Sequence, residues 1–177
     1  MQRKLHIGGH EQRLSWEILD ANPGPLVDHV GNANDLSRFA DGTFSEIYAS
    51  HVLEHFDYKD ALSQALIEWR RVLAPTGVLR LSVPDIDVLA NLLLQKQALD
   101  VNQRYQIMRM MFGGHIDAYD YHLVGLNEEF LVAFLAAAGF DRVQRVASHG
   151  LFTDTSDMDV GGVRISLNMN AFNRSWP

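Results

Sequence analysis

The chain has 177 residues, 47% of them hydrophobic and 21% charged, the size and balance of one globular domain, here residues 1–177, around a single core. A formal net charge of -7 leaves no cationic excess to neutralise phosphates, which argues against nucleic acid and for a small or neutral ligand. With no cysteine there is no disulfide framework, thiolate metal site or catalytic thiol, and Met1 to Lys4 lead into too short an apolar stretch for a secretory signal or membrane span. A cytoplasmic location without a membrane partner is expected.

Short apolar runs alternating with turn signals and helices predict an α/β sheet. Strands are expected at residues 4–7, 16–19, 26–30, 46–50 and 78–83. The clearest helix starts at Asp57, with Asp60 three residues on and Leu62, Leu66, Trp69 and Leu73 as one apolar stripe, and stops at Ala74-Pro75-Thr76-Gly77. Residues 86–111 are helical by pattern, and the cluster Met108, Met110, Met111 and Phe112 reads as core. Asn127 caps a further helix with Phe130, Leu131, Phe134 and Leu135 inward and Gly139 as its stop. Residues 142–146 and 163–169 read as a final strand pair; Val163, Ile165, Leu167 and Met169 alternate with polar residues, which predicts one buried face. No repeat or flexible linker divides the chain.

Residues 45–55 end in His51-Val52-Leu53-Glu54-His55, which can be read in two ways. On a helix, H-x-x-E-H puts two imidazoles on one face with a carboxylate as base, the pattern of a zinc hydrolase. The flanks favour a strand end: Ile47 to Ser50 is apolar, entered from the turn at Asp41-Gly42, and Phe56-Asp57 begins another element at once. No metal ligand is assigned on this reading.

These pieces together resemble the class I S-adenosylmethionine-dependent methyltransferases, in particular the small single-domain type with an "hLEH" signature. Leu5-His6-Ile7-Gly8-Gly9 is similar to that family's first strand and glycine turn. Trp16-Glu17-Ile18-Leu19-Asp20 is similar to its second strand. Gly31-Asn32-Ala33-Asn34-Asp35-Leu36 with Asp41-Gly42-Thr43-Phe44 is similar to its adenine-side loop. Ser50 to His55 match the signature, and Val72-Leu73-Ala74-Pro75-Thr76-Gly77-Val78-Leu79 resembles its turn into strand five. The resemblance implies a Rossmann-like, mostly parallel seven-stranded sheet with helices on both faces and a C-terminal antiparallel strand pair. It also implies S-adenosylmethionine as cofactor and a small-molecule or glycan acceptor.

On that resemblance the cofactor site comprises Gly8, Gly9, Asp20, Asn32, Ala33, Ser50 and His51. Glycine lets backbone approach the methionine portion, and a carboxylate at the end of the second strand accepts both ribose hydroxyls. Asn32 stands where the family carries Asp, so the adenine amino group meets a neutral acceptor. Methyl transfer from a sulfonium is mainly a matter of positioning, with a base needed when the acceptor atom must lose a proton. His55, His122 and Asp85 are the candidates, Asp85 and Glu54 having helix capping as the plainer alternative. Gly113-Gly114-His115 and Asp120-Tyr121-His122 read as a lid loop.

The chain departs from the family at its start. Only Gly8 to Ser15 separate the first two strands, with a similarly brief link to the third, whereas a helical crossover takes a dozen residues or more. The first crossover helices are therefore expected to be shortened or missing, and His10-Glu11 stands where a glycine is often found. Without a helix N-terminus there, the methionine carboxylate has weaker support. A homodimer partner covering the open site and a fold that binds without turnover are both consistent with that.

Overall fold

A computed structural model describes residues 2–173. Its strands are β1 (Arg3–Ile7), β2 (Trp16–Asp20), β3 (His29–Val30), β4 (Phe44–Ser50), β5 (Leu73–Pro84), β6 (Arg142–Val146), β7 (Asp159–Val160), β8 (Val163–Arg164) and β9 (Ser166–Phe172). The helices are α1 (Ala61–Val72), α2 (Ile86–Leu93), α3 (Val101–Phe112) and α4 (Glu128–Ala137). Seven strands form one sheet in the order β3-β2-β1-β4-β5-β9-β6, parallel from β3 to β5, with β9 antiparallel to both β5 and β6. β7 and β8 make a separate short hairpin.

One face of the sheet is apolar because alternate residues of each strand point there. Leu5, Ile7, Ile47, Leu79, Leu81, Leu167 and Met169 are all at most 1% exposed and share one core with Leu62, Leu66 and Trp69 of α1 and Leu131 and Leu135 of α4. The α1 residues recur at helical spacing, so one stripe of that helix is removed from water. Trp69 also donates its indole N–H to the Ala33 carbonyl at 2.7 Å, which ties the loop before β4 to α1. Arg71 fastens the same loop through the carbonyls of Leu36 and Phe39 and the carboxylate of Asp41, and Glu68 on α1 holds its guanidinium in place.

The opposite face is polar, unusual for parallel strands. Glu46 pairs with Lys4 at 3.1 Å and with Arg80 at 3.0 Å, and Arg80 reaches Asn170 on β9. Beside this row His6, Trp16 and Tyr48 meet Phe152, the His6 and Phe152 rings lying 4.0 Å apart. Tyr48 donates its hydroxyl to Asp154 at 2.7 Å. Topology explains the arrangement. The step from β4 to β5 runs one way along the sheet and that from β1 to β2 the other, so right-handed crossovers place their helices on opposite faces. Residues 8–15 and 21–28 contain no helix, and the segment carrying Phe152 covers part of the face left bare.

Several local expectations need correction. The third strand is only His29–Val30. The helix expected from Asp57 begins at Ala61, since the Asp57 carboxylate accepts from the Lys59 amide in a local turn. Residues 86–111 form two helices, the second opened by a capping box between Asp100 and Gln103. Ile107 is the fully buried residue of α3, and Met110 and Met111 pack partly buried against its cluster; Phe112, expected in the core, is 53% exposed, and Phe130 of α4 is 51% exposed. In β9, Ser166 and Asn168 are buried along with the apolar residues, because Asn168 donates to the carbonyls of Ala147 and Ser156.

Candidate active site

The strand order reverses between β1 and β4, so their carboxyl ends open the crevice where α/β sheets bind ligands. Gly8 leaves β1 with φ +71° and donates its amide to the Leu19 carbonyl at 2.8 Å. A side chain there would meet Val52 at 2.9 Å, so conformation and space both demand glycine. Gly9 lies over the His6 ring. Asp20 ends β2 with one carboxylate oxygen accepting from the Asn22 amide and its carbonyl accepting from the Gly31 amide, which draws the Asn32 turn alongside. Among the described residues no cation pairs with the Asp20 carboxylate. Asn32 accepts from the Asn34 amide through its side chain, and Ala33 is held by Trp69.

At the end of β4 the backbone turns through His51, whose φ of +54° is uncommon for a residue with a side chain. The turn is held by its amide on the Ser82 carbonyl at 2.8 Å and by its ring: Nε2 lies 2.9 Å from Ser166 Oγ and Nδ1 lies 3.3 Å from Glu54. Leu53–His55 then form a single 3-10 turn, so the helix that the zinc-hydrolase reading of H-x-x-E-H needs is absent. Glu54 is 1% exposed and is ringed by imidazoles. His122 Nε2 stands 3.9 Å from it, and the His55 and His122 rings are 5.0 Å apart. Burial opposes ionisation of Glu54, but the neighbouring imidazoles, His51 foremost, outweigh it and hold the carboxyl below its usual range. Burial pushes His122 down, with Glu54 opposing.

Beside this cluster lies a cavity of about 260 Å³ lined by His51, Arg109, Met110, Gly113, Gly114 and His122, among others. The loop after α3 forms its rim: His122 and Leu123 donate their amides to the carbonyls of Phe112 and Glu54. Gly113 has φ +90°, and a side chain on it would strike the Asp120 carbonyl. Met110 and Arg109 had no functional signal in the sequence, since a methionine-rich helix end reads as core. A second hollow, about 400 Å³, lies at the amino end of β5 near Asp41, Arg71 and Asn173, away from the strand ends described above.

Asp85 does not line the cavity. It is 4% exposed and caps α2, accepting from the amides of Asp87 and Val88, and it pairs with Arg145 at 3.3 Å.

A family model described as methyltransferase domain matches residues 13–81, the stretch from just before β2 into β5. That match spans less than half of the chain, and beyond it the likeness to solved structures is one of fold. Among solved structures the chain is similar to a SAM-dependent methyltransferase from Archaeoglobus fulgidus, at 17% identity and TM-score 0.61 over 97% of this chain and 86% of that one. A SAM-dependent methyltransferase from Thermotoga maritima matches at 17% identity and TM-score 0.57 over 98% and 83% of the two chains. The CurJ carbon methyltransferase matches at 18% identity and TM-score 0.57 over 98% of this chain, which spans only 49% of its length. No curated protein matches.

The neighbours from Archaeoglobus fulgidus and Thermotoga maritima are S-adenosylmethionine-dependent, and most of this chain's strand ends have features that would suit that cofactor. Gly8 offers backbone without a Cβ, and Asp20 offers a carboxylate at the end of β2 that no cation pairs with among the described residues. The methionine end is the exception, since the residues after Gly9 open no helix and the Gly8 amide is already engaged.

Proposed function

We propose that this chain transfers a methyl group from S-adenosylmethionine to a small-molecule or sugar-containing acceptor. The observation that carries the reading is the cavity at His51, which adjoins the end of β4 and so lies next to the strand ends suited to the cofactor. Asp20 binds the ribose hydroxyls, Asn32 and Ala33 border the adenine, Gly8 and Gly9 admit the methionine backbone, and Ser50 and His51 close the crevice from β4. The bound cofactor supplies an electrophilic methyl group on sulfur. Within the cavity Arg109 and Met110 shape the acceptor's berth, and the rim loop limits access of water. His122, with His55 behind it, takes up the proton when an oxygen or nitrogen acceptor must lose one. Asp85, engaged with α2 and Arg145, holds that helix in place beside the cavity.

The test is methyl transfer from labelled S-adenosylmethionine to a panel of sugars, phenols and small carboxylic acids, with His122→Ala beside the native chain. Transfer that falls at least about tenfold in the variant while cofactor affinity holds supports the assignment. Equal loss of cofactor affinity and transfer contradicts it. A second reading, a fold that binds without turnover, draws on the missing helix after β1 and predicts cofactor binding with no transfer to any acceptor.

A further inference from the structure

We infer that Glu54, His55 and His122 form a binding site for a single divalent transition-metal ion at the inner edge of the cavity. Two of these residues are neighbours on the turn after β4 and the third arrives from the rim loop, which docks on that turn through the Leu123 amide and the Glu54 carbonyl at 2.7 Å. One ligand atom from each lies within 4.8 Å of the other two. Bonds of about 2.0–2.2 Å to an ion draw such donors to about 3–3.5 Å, a change that side-chain rotation covers.

The buried carboxylate is the strongest argument. Neither oxygen of Glu54 receives a well-formed hydrogen bond, no Lys or Arg pairs with it among the described residues, and it is 1% exposed. A buried carboxylate without compensation is costly, and an ion supplies the charge that three imidazoles only partly provide. Proton bookkeeping points the same way. Ser166 Oγ donates to the Thr155 carbonyl at 2.9 Å, so His51 Nε2–H donates to Ser166, and His51 Nδ1 at 3.3 Å makes no well-formed hydrogen bond to Glu54. His55 Nδ1 faces the Tyr121 carbonyl at 3.1 Å and must donate to it, which leaves Nε2 with its lone pair available. Anchoring one ring nitrogen on a backbone carbonyl is how proteins orient metal-binding histidines.

Two imidazoles and one carboxylate suit zinc, iron, cobalt or manganese, and three ligands leave further positions open, His122 being the one of the three that lines the cavity. An acceptor oxygen bound there is activated by the ion in place of a free imidazole, a clause that rests on the proposed methyl transfer; the ion site itself does not.

The experiment titrates chelator-treated protein with Zn(II) and with Co(II), following bound metal, visible Co(II) absorption and melting temperature. The native chain, Glu54→Gln, His55→Ala and His122→Ala are compared, with circular dichroism to confirm folding. The expected result is one ion per chain and at least about tenfold weaker binding in each folded variant. Sub-stoichiometric metal, or affinity unchanged in His55→Ala and His122→Ala, overturns the site. S-adenosylmethionine binding is measured on the metal-free native protein in parallel. Loss of the metal site with retained cofactor binding leaves the methyltransferase reading standing, and the reverse outcome leaves the metal site alone.

Discussion

Asp20 and His6 are polar residues on neighbouring strands whose environments set opposite tasks. Asp20 ends β2 partly open to water with no cation at its carboxylate, so removing it leaves the neighbouring fold intact. Asp20→Ala is expected to weaken S-adenosylmethionine binding by about 1–3 kcal/mol, as for loss of a charged hydrogen-bonding partner, read by calorimetric titration. Unchanged affinity would place the ribose elsewhere. His6 is 4% exposed among Trp16, Tyr48 and Phe152, and burial pushes its pKa down to about 4. The unfolded chain takes up that proton near pH 6.5 and the folded chain only near pH 4. Stability from this group is therefore complete above pH 6.5 and declines as pH falls toward 4, by about 3 kcal/mol in all. Urea unfolding of His6→Phe is expected to lose this slope between pH 6.5 and 4.5, where few carboxylates yet titrate. A slope identical to the native chain's would assign the effect to other groups.

Among the elements, the rim loop and the Phe152 segment do work that helices do elsewhere in the fold. Gly113 sits at φ +90° against the Asp120 carbonyl, so Gly113→Ala is expected to cost about 1–2 kcal/mol and to loosen the rim. Faster hydrogen exchange at the His122 and Leu123 amides checks this, and native-like protection there would refute it. Phe152 is 7% exposed and closes the cluster over His6; Phe152→Ala is expected to destabilise by about 2–4 kcal/mol, near the range for buried aromatics.

The regular elements were legible because their signals are local. The stripe Leu62, Leu66, Trp69 fixed α1, and Asn127 with Gly139 bracketed α4, the cap accepting from the Phe130 amide as its residue type suggests. The short links after β1 and β2 correctly announced missing helices. What replaces them depends on a contact between His6 and Phe152, far apart in sequence, and no periodicity reports such a contact. A hint was present: Lys4, Glu46 and Arg80 stand at alternate positions of otherwise apolar parallel strands, which marks a face without a helix over it. The histidine cluster was legible only in part. His51, Glu54 and His55 stood in one motif, but the arrival of His122 and the cavity walls at Arg109 and Met110 depend on how the rim loop folds back.

At the scale of the whole molecule, the sheet follows the fold of the solved methyltransferases it is similar to, while residues 8–15 and 21–28 contain no helix. The apolar face and its helices carry the common core. The polar face is adapted to those helix-free links through the Lys4, Glu46 and Arg80 row and the C-terminal segment. No helix is long and apolar enough to cross a membrane among the described residues. The central claim is that the strand ends still bind the cofactor without a helix behind Gly9. Melting temperature measured with S-adenosylmethionine and S-adenosylhomocysteine tests it most directly. Ligand at about 100 times its dissociation constant adds about 2.7 kcal/mol, a rise of about 5–10 °C for a domain of this size. The account predicts that rise in the native chain and a much smaller one in Asp20→Ala at the same concentrations; no rise with either ligand at millimolar concentration would contradict it.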